Sequence, residues 1–93
     1  MSDLRDVDAG SGALTLYTTT WCPFCSRLKA QLDQAEIAYT EIDVDTDAEA
    51  AAFVESVNDG NRVVPTALYA DGTTATNPPA SQVRVKLAEL ADA

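Results

Sequence analysis

The chain has 93 residues, of which 46% are hydrophobic and 23% charged, so it can form one domain with a modest core but not two. Fifteen acidic residues against six basic ones give a net charge of −9, which disfavours binding to nucleic acid or to an anionic membrane. No apolar stretch is long enough to span a bilayer, and the first residues lack the pattern of a signal peptide. We therefore expect a cytoplasmic protein, where a cysteine pair is more often catalytic or metal-binding than a structural disulfide.

The first half of the chain begins with a polar segment, which is followed by patterns typical of a strand and a helix. Residues 1–12 are rich in Asp, Gly and Ser and predict a flexible tail, which leaves 13–93 as the folded domain. The residue types alternate over 13–18, which predicts the first β-strand. From Pro23 the apolar positions recur at helical spacing, so Cys22 is expected at or next to the N-terminus of a helix.

The second half predicts the remaining elements. A second strand is expected over 37–44, and Thr46 with Glu49 forms a capping-box pattern for a helix that ends near 58–61. After these come a third strand over 63–69, a hairpin turn at Asp71-Gly72, a short fourth strand over 73–76 and a last helix opened by Asn77-Pro78-Pro79. The order β-α-β-α-β-β-α predicts an α/β fold in which a four-stranded mixed sheet is covered by three helices.

Cys22 and Cys25 are the only cysteines, and the chain has no histidine. A reactive thiol here must be activated without an imidazole, and the positive end of a helix is expected to keep Cys22 largely as the exposed, nucleophilic thiolate. Cys25, one turn further along, should be more buried and less ionised. Whether Cys25 takes part in the reaction or only packs stays open, and two cysteines alone cannot complete a tetrahedral zinc site.

Three further residues have more than one interpretation. Trp21 and Phe24 flank the pair, and we expect Trp21 to be partly exposed and Phe24 to be mostly packed. Pro65 falls in the predicted third strand, where a proline is normally restricted to an edge or to the first position.

These features resemble those of the thioredoxin superfamily, in which a Cys-x-x-Cys pair stands where the first strand enters the first helix. Within it, the run Trp21-Cys22-Pro23-Phe24-Cys25 resembles the dithiol glutaredoxins. The segments 53–62, Val64-Pro65-Thr66, 70–73 and Thr76-Asn77-Pro78 are similar to the mycoredoxins of actinobacteria, and the resemblance covers about residues 13–92. It implies a thioredoxin/glutaredoxin fold, catalytic roles for Cys22 and Cys25, and a cis Val64–Pro65 bond that faces Cys22 and offers its backbone to the substrate.

The sequence departs from many glutathione-using glutaredoxins at two places. They carry a lysine three residues before the first cysteine, where this chain has Thr19, and a Gly-Gly-x-Asp turn, where it has Thr76-Asn77-Pro78-Pro79. Without those groups glutathione should be a poor co-substrate. Mycothiol, a sugar-linked thiol, would prefer neutral hydroxyl and amide groups such as those of Thr19, Thr76 and Asn77. The alternative is that these are strand-end and capping residues that face water.

The resemblance thus predicts a thiol-disulfide oxidoreductase that reduces mycothiol-protein mixed disulfides through Cys22. Candidate substrate-binding residues are Thr19, Trp21, Pro23, Phe24, Val64, Pro65, Thr76 and Asn77. We expect no bound cofactor or metal, with mycothiol as co-substrate and NADPH acting through a recycling disulfide reductase. The expected partners are that reductase and mycothiolated proteins, with no nucleic acid or membrane, and the protein should be a monomer. Two alternatives remain: an electron donor fed by thioredoxin reductase or glutathione, and a metal or iron-sulfur binding protein.

Overall fold

The computed structural model describes residues 13–92, so the predicted tail over 1–12 lies outside the described residues. The strands are β1 (Leu14–Thr18), β2 (Thr40–Asp43), β3 (Thr66–Tyr69) and β4 (Thr74–Thr76), and the helices are α1 (Pro23–Gln34), α2 (Ala48–Val57) and α3 (Ala80–Asp92). This order confirms the predicted succession of elements. In the part of the chain that is described, no helix is both long and apolar enough to cross a membrane.

The four strands form one mixed sheet in the order β2-β1-β3-β4. β1 and β2 are parallel and are connected through α1, whereas β3 is antiparallel to both β1 and β4. The hairpin between β3 and β4 turns at Gly72, whose φ of +90° is a conformation that suits glycine. Its N–H donates to the carbonyl of Tyr69 at 2.9 Å, which confirms the turn predicted at Asp71-Gly72.

The central strand β1 is buried on both faces. Leu14 and Leu16 pack on one face against α1 and α3, in a cluster that also contains Leu28, Leu32, Ala67, Tyr69 and Val83. Tyr17 points to the other face and packs against α2 with Val44, Ala50, Ala51 and Val54. Because successive strand residues face opposite sides, β1 holds the two helical layers together. It thereby fixes the position of the chain that leaves its C-terminal end.

All four strands are shorter than the sequence predicted, β1 and β4 by one residue, β2 by four and β3 by three. β2 begins at Thr40 because Ile37 and Tyr39 pack against the core on the α1 side, and its pairing with β1 starts at Thr40 opposite Thr15. β3 begins at Thr66, directly after Pro65, which has no N–H to give to a ladder. The residues before Thr66 instead form a loop that approaches α1.

The start of α2 differs from the prediction by one residue. Asp47 is the N-cap, since its Oδ1 accepts from the N–H of Ala50 at 3.0 Å. The Thr46 hydroxyl donates to the carbonyl of Asp43 at 3.3 Å, so the capping box predicted for Thr46 and Glu49 is wrong. An aspartate and a threonine in succession are both good caps, and the sequence pattern alone does not choose between them.

Candidate active site

Cys22 lies at the N-cap of α1, in the position predicted from Pro23. Its backbone is extended (φ −87°, ψ 113°), and Pro23 occupies the first turn. The Cys22 Sγ accepts a hydrogen bond from the N–H of Cys25 at 3.1 Å. A sulfur at this position receives a backbone donor and the positive end of the helix dipole, and both stabilise negative charge on it.

A loop that precedes β3 forms the other wall of the site. The Val64–Pro65 bond is cis, and the carbonyl oxygen of Val64 lies 3.8 Å from Cys22 Sγ, where it accepts from the thiol. Both features confirm what the resemblance implied. Cys22 is only 3% exposed, so the prediction of an exposed nucleophile is wrong: the loop from a distant part of the chain lies against the sulfur and leaves a narrow opening.

Cys25 is fully buried in the first turn of α1. Burial raises the pKa of its thiol to about 12; a hydrogen bond with the Cys22 sulfur acts in the same direction, whereas the backbone of Thr19 acts in the opposite one. Cys25 is therefore a neutral thiol across the physiological range, and it is the more buried of the pair, as predicted. As a thiol it can donate to Cys22, but it is a poor nucleophile.

The raised pKa of Cys25 should be visible in the pH dependence of the free energy of unfolding. The ordinary pKa of the thiol is 9.0 and its folded value about 12, so the folded state keeps a proton that the unfolded state releases above pH 9. The stabilisation from the neutral Cys25 thiol is thus complete below about pH 9 and is lost as pH rises toward 12. We expect wild type to lose more unfolding free energy than Cys25→Ser between pH 8 and pH 10.5, measured by urea denaturation. Equal losses would contradict the assignment.

The two aromatic residues of the Trp21–Cys25 run are both exposed. Trp21 is 70% exposed, as expected, but Phe24 is 55% exposed, so the prediction that Phe24 is mostly packed is wrong. The buried residues of α1 are Cys25, Leu28 and Leu32, and Phe24 in the first turn lies outside that stripe. Both rings are thus available to a ligand that approaches Cys22.

Trp21 is hydrogen-bonded to a network of charged side chains that no sequence pattern indicated. Its Nε1 donates to Asp45 Oδ2 at 2.9 Å, and Asp45 Oδ1 lies 3.7 Å from Nη1 of Arg62. The Nε of Arg62 is 3.2 Å from Glu55 Oε2. Arg62, two residues before Val64, is therefore compensated by two carboxylates, and this side of the opening carries one net negative charge from these three side chains.

Of the three neutral residues proposed to recognise the thiol, two are differently placed than expected. Thr19 is 3% exposed and its hydroxyl has no hydrogen-bond partner among the described residues; it neither faces water nor reaches the surface where a ligand would arrive. The Thr76 hydroxyl donates to Asn58 Oδ1 at 2.6 Å. Asn77 is exposed, and its N–H donates to the carbonyl of Pro65 at 2.7 Å, which places it beside the cis-proline loop.

Asn58 connects three elements behind this loop. Its Nδ2 donates to the Val54 carbonyl at 2.8 Å and approaches Thr66 Oγ1 at 3.3 Å, while its Oδ1 accepts from Thr76. Thr66 directly follows Pro65, so Asn58 joins the end of α2 to β3 and β4 next to the site. From the sequence, Asn58 was interpreted only as part of a helix terminus, and no local pattern distinguishes the two roles.

These features define the class of protein. A mixed four-stranded sheet with three helices, in which a Cys-x-x-Cys pair at the start of the first helix faces a cis-proline loop, is a thioredoxin-like fold with a dithiol site. The glutaredoxin family model matches residues 14–73. The chain belongs to the glutaredoxin family and is a thiol oxidoreductase.

Individual relatives agree with this assignment. Mycoredoxin 1 of Corynebacterium glutamicum is 55% identical over 78 residues, which cover 84% of this chain and 96% of the relative. A glutaredoxin-like protein of Mycobacterium tuberculosis is 53% identical over 81 residues, covering 87% of this chain and 96% of its own. Among solved structures, the thioredoxin-like protein BC3987 superposes with a TM-score of 0.63 at 28% identity, over 80% of this chain and 97% of that one. The expected fold is confirmed.

Proposed function

We propose that the protein reduces mixed disulfides between mycothiol and proteins, with Cys22 as the attacking thiol. The observation that carries the proposal is the asymmetry of the pair: Cys22 Sγ receives the Cys25 N–H at 3.1 Å, whereas burial raises the pKa of Cys25 to about 12. One sulfur thus accepts a backbone hydrogen bond at a helix N-terminus, and the other is held as a neutral thiol. The 55% identity to Mycoredoxin 1 supports mycothiol as the small thiol.

The reaction follows from this asymmetry. The Cys22 thiolate attacks the mycothiol sulfur of the mixed disulfide, the mycothiol-protein S–S bond breaks, and the protein leaves as a thiolate that takes up a proton. A second mycothiol thiolate then attacks the mycothiol sulfur bound to Cys22, which frees Cys22 and forms oxidised mycothiol. An NADPH-dependent reductase supplies two electrons to recycle that disulfide. The hydrogen bond and helix terminus at Cys22 assist the second step, because a stabilised thiolate is a better leaving group.

The charges on the Trp21 side of the opening support a neutral thiol. Arg62 is already paired with Asp45 and Glu55, so it is not free to receive a carboxylate of glutathione. An anionic ligand there would approach a net negative group of side chains, which is unfavourable at short range. A neutral, hydroxyl-rich thiol meets no such repulsion, and the exposed Trp21 ring offers it an apolar face.

Asp45→Asn should weaken this discrimination. The amide oxygen can still accept from Trp21 Nε1, but Arg62 loses one of its two carboxylate partners. We expect kcat/KM for a glutathione mixed disulfide to rise about 1.5-fold to fivefold, the equivalent of one exposed charge pair, with the mycothiol substrate nearly unaffected. Asp59→Asn is the matched control, because Asp59 is exposed, has a φ of 58° that asparagine tolerates and makes no ion pair among the described residues. A gain of the same size in both variants would show that only total charge matters.

The proposed function is tested by a coupled NADPH assay. The substrates are one cysteine peptide carried as a mixed disulfide with mycothiol or with glutathione, each supplied with its free thiol and its reductase. We expect at least about tenfold higher kcat/KM with mycothiol, corresponding to roughly 1.4 kcal/mol of transition-state discrimination. Equal or faster turnover with glutathione, or turnover only when thioredoxin reductase reduces the protein directly, would overturn the proposal.

A further inference from the structure

The basic residues of the described chain divide into two groups. Lys29 pairs with Glu41 at 2.7 Å, Arg62 with Glu55 at 3.2 Å and Lys86 with Asp71 at 2.8 Å. Arg27 and Arg84 are exposed, and within residues 13–91 neither has a hydrogen bond or an ion pair. In a chain with fifteen acidic residues and six basic ones, two arginines that pair with no carboxylate of residues 13–91 are unexpected on grounds of charge alone.

Both unpaired arginines line the same groove. It runs between α1 and the start of α3 as two adjoining hollows of about 350 and 520 Å³, which share Gln31 and Pro79 as lining residues. Arg27 lines the first hollow and Arg84 the second. Among the described residues, those that line the two hollows include no acidic one, so this part of the groove is locally positive on a protein whose net charge is −9.

The groove begins beside the reactive sulfur. Phe24, two residues after Cys22, lines the first hollow together with Asn77. The Asn77 N–H donates to the carbonyl of Pro65 at 2.7 Å, and the adjacent Val64 carbonyl lies 3.8 Å from Cys22 Sγ. The polypeptide of a mixed disulfide that Cys22 attacks can therefore enter the groove at Phe24 and continue along α1 toward Arg84. The hollows are many times the roughly 30 Å³ of a water molecule, so their size suits a polypeptide segment better than a single small ion.

We propose that this groove binds the polypeptide of the substrate protein and selects acidic residues that flank its modified cysteine. The proposal rests on the proposed function in that the substrate is a protein mixed disulfide. Arginine guanidinium groups form charge-assisted hydrogen bonds with carboxylates, and glutamine side chains such as Gln31 can bond to the backbone of an extended chain. The groove thus adds substrate selection at Phe24, and its lining does not include Asp45 or Arg62.

The peptide preference expected from the groove is opposite to the preference expected from the net charge. At a net charge of −9 the protein as a whole attracts basic peptides, and that long-range attraction is strongest at low salt. A peptide seated in the groove instead lies within a few ångströms of two arginines, where local contacts outweigh distant charges. The sign of the peptide preference therefore distinguishes the groove from a general electrostatic effect.

The test uses one cysteine peptide, flanked by Asp, Asn or Lys, as a mixed disulfide with mycothiol. Rates are divided by each protein's turnover of β-hydroxyethyl disulfide, which reports the Cys22 chemistry. We expect the Asp peptide to exceed the Asn peptide in kcat/KM by about threefold to tenfold, as for two exposed charge pairs, through a lower KM. The preference should disappear in the double variant Arg27→Gln/Arg84→Gln. Lys86→Gln is the matched control on the same helix as Arg84 and should retain it.

Equal rates for the three peptides, or a preference for the Lys peptide, would overturn the proposal. So would retention of the Asp preference in the double arginine variant, or its loss in Lys86→Gln. The same peptides carried as glutathione mixed disulfides separate this failure from that of the proposed function. If the Asp peptide is preferred as a glutathione mixed disulfide and mycothiol is not used, the proposed thiol is wrong and the groove proposal stands. If mycothiol is used efficiently without any peptide preference, only the groove proposal is wrong.

Discussion

Cys22→Ser is expected to reduce mixed-disulfide turnover by at least about 10³-fold, because a serine hydroxyl cannot replace the sulfur as nucleophile and leaving group. Cys25→Ser should retain a third or more of the activity, since a thiol whose pKa lies near 12 is not needed for a reaction in which a second small thiol resolves the intermediate. Steady-state rates in the mycothiol-coupled assay measure both effects.

The serine at position 25 is a suitable substitution for this test. Cys25 is fully buried at the first turn of α1, and serine is small enough to occupy the same space and can still donate to the Cys22 sulfur. The hydrogen bond from the backbone N–H of residue 25 to Cys22 Sγ also remains. If Cys25→Ser lost activity to the same extent as Cys22→Ser, the monothiol route would be wrong, and reduction of protein disulfides by the dithiol would take its place.

Asn58→Ala should lower the free energy of unfolding by about 2 to 4 kcal/mol, since it removes hydrogen bonds to the Val54 carbonyl, to Thr66 and from Thr76 at about 1 kcal/mol each, more where a buried group is left unpaired. The same variant should raise KM for the mixed disulfide, because Thr66 and the preceding cis-proline loop lose their connection to α2. Urea denaturation and steady-state kinetics give the two values.

Asn61→Ala is the control for this effect. Asn61 belongs to the same turn, but within the described residues its exposed side chain makes a single hydrogen bond, to the Asn58 carbonyl at 3.1 Å, so its removal should cost less than about 1 kcal/mol. Similar losses in the two variants would indicate that the turn as a whole, and not the Asn58 side chain, supports the loop.

Much of the fold was predictable because its elements have strong local signals. The helical spacing of Leu28 and Leu32 and the proline at the start of α1 placed Cys22 at the N-cap, which the structure confirms. The turn at Asp71-Gly72 was equally clear. The resemblance to thioredoxin-like proteins implied the cis bond before Pro65, which spacing alone could not have indicated.

The features that were missed depend on residues far apart in the chain. The burial of Cys22 comes from its contact with Val64, 42 residues away, and the network of Trp21, Asp45 and Arg62 joins three separate segments. Periodicity reports which face of an element is apolar, but it contains no information on which charged side chains meet across a loop. The exposure of Phe24 was missed for the same reason, since neighbouring loops determine whether side chains in the first turn of a helix are buried.

The most direct test of the central claim is to identify what Cys22 carries in the cell. The Cys25→Ser protein is purified from its native host under alkylating conditions, and intact and peptide mass spectrometry locate the adduct. The expected result is one mycothiol on Cys22, removed by a reductant. Glutathione on Cys22 would contradict the assignment of the thiol, and an unmodified Cys22 in oxidatively stressed cells would contradict the mixed-disulfide intermediate itself.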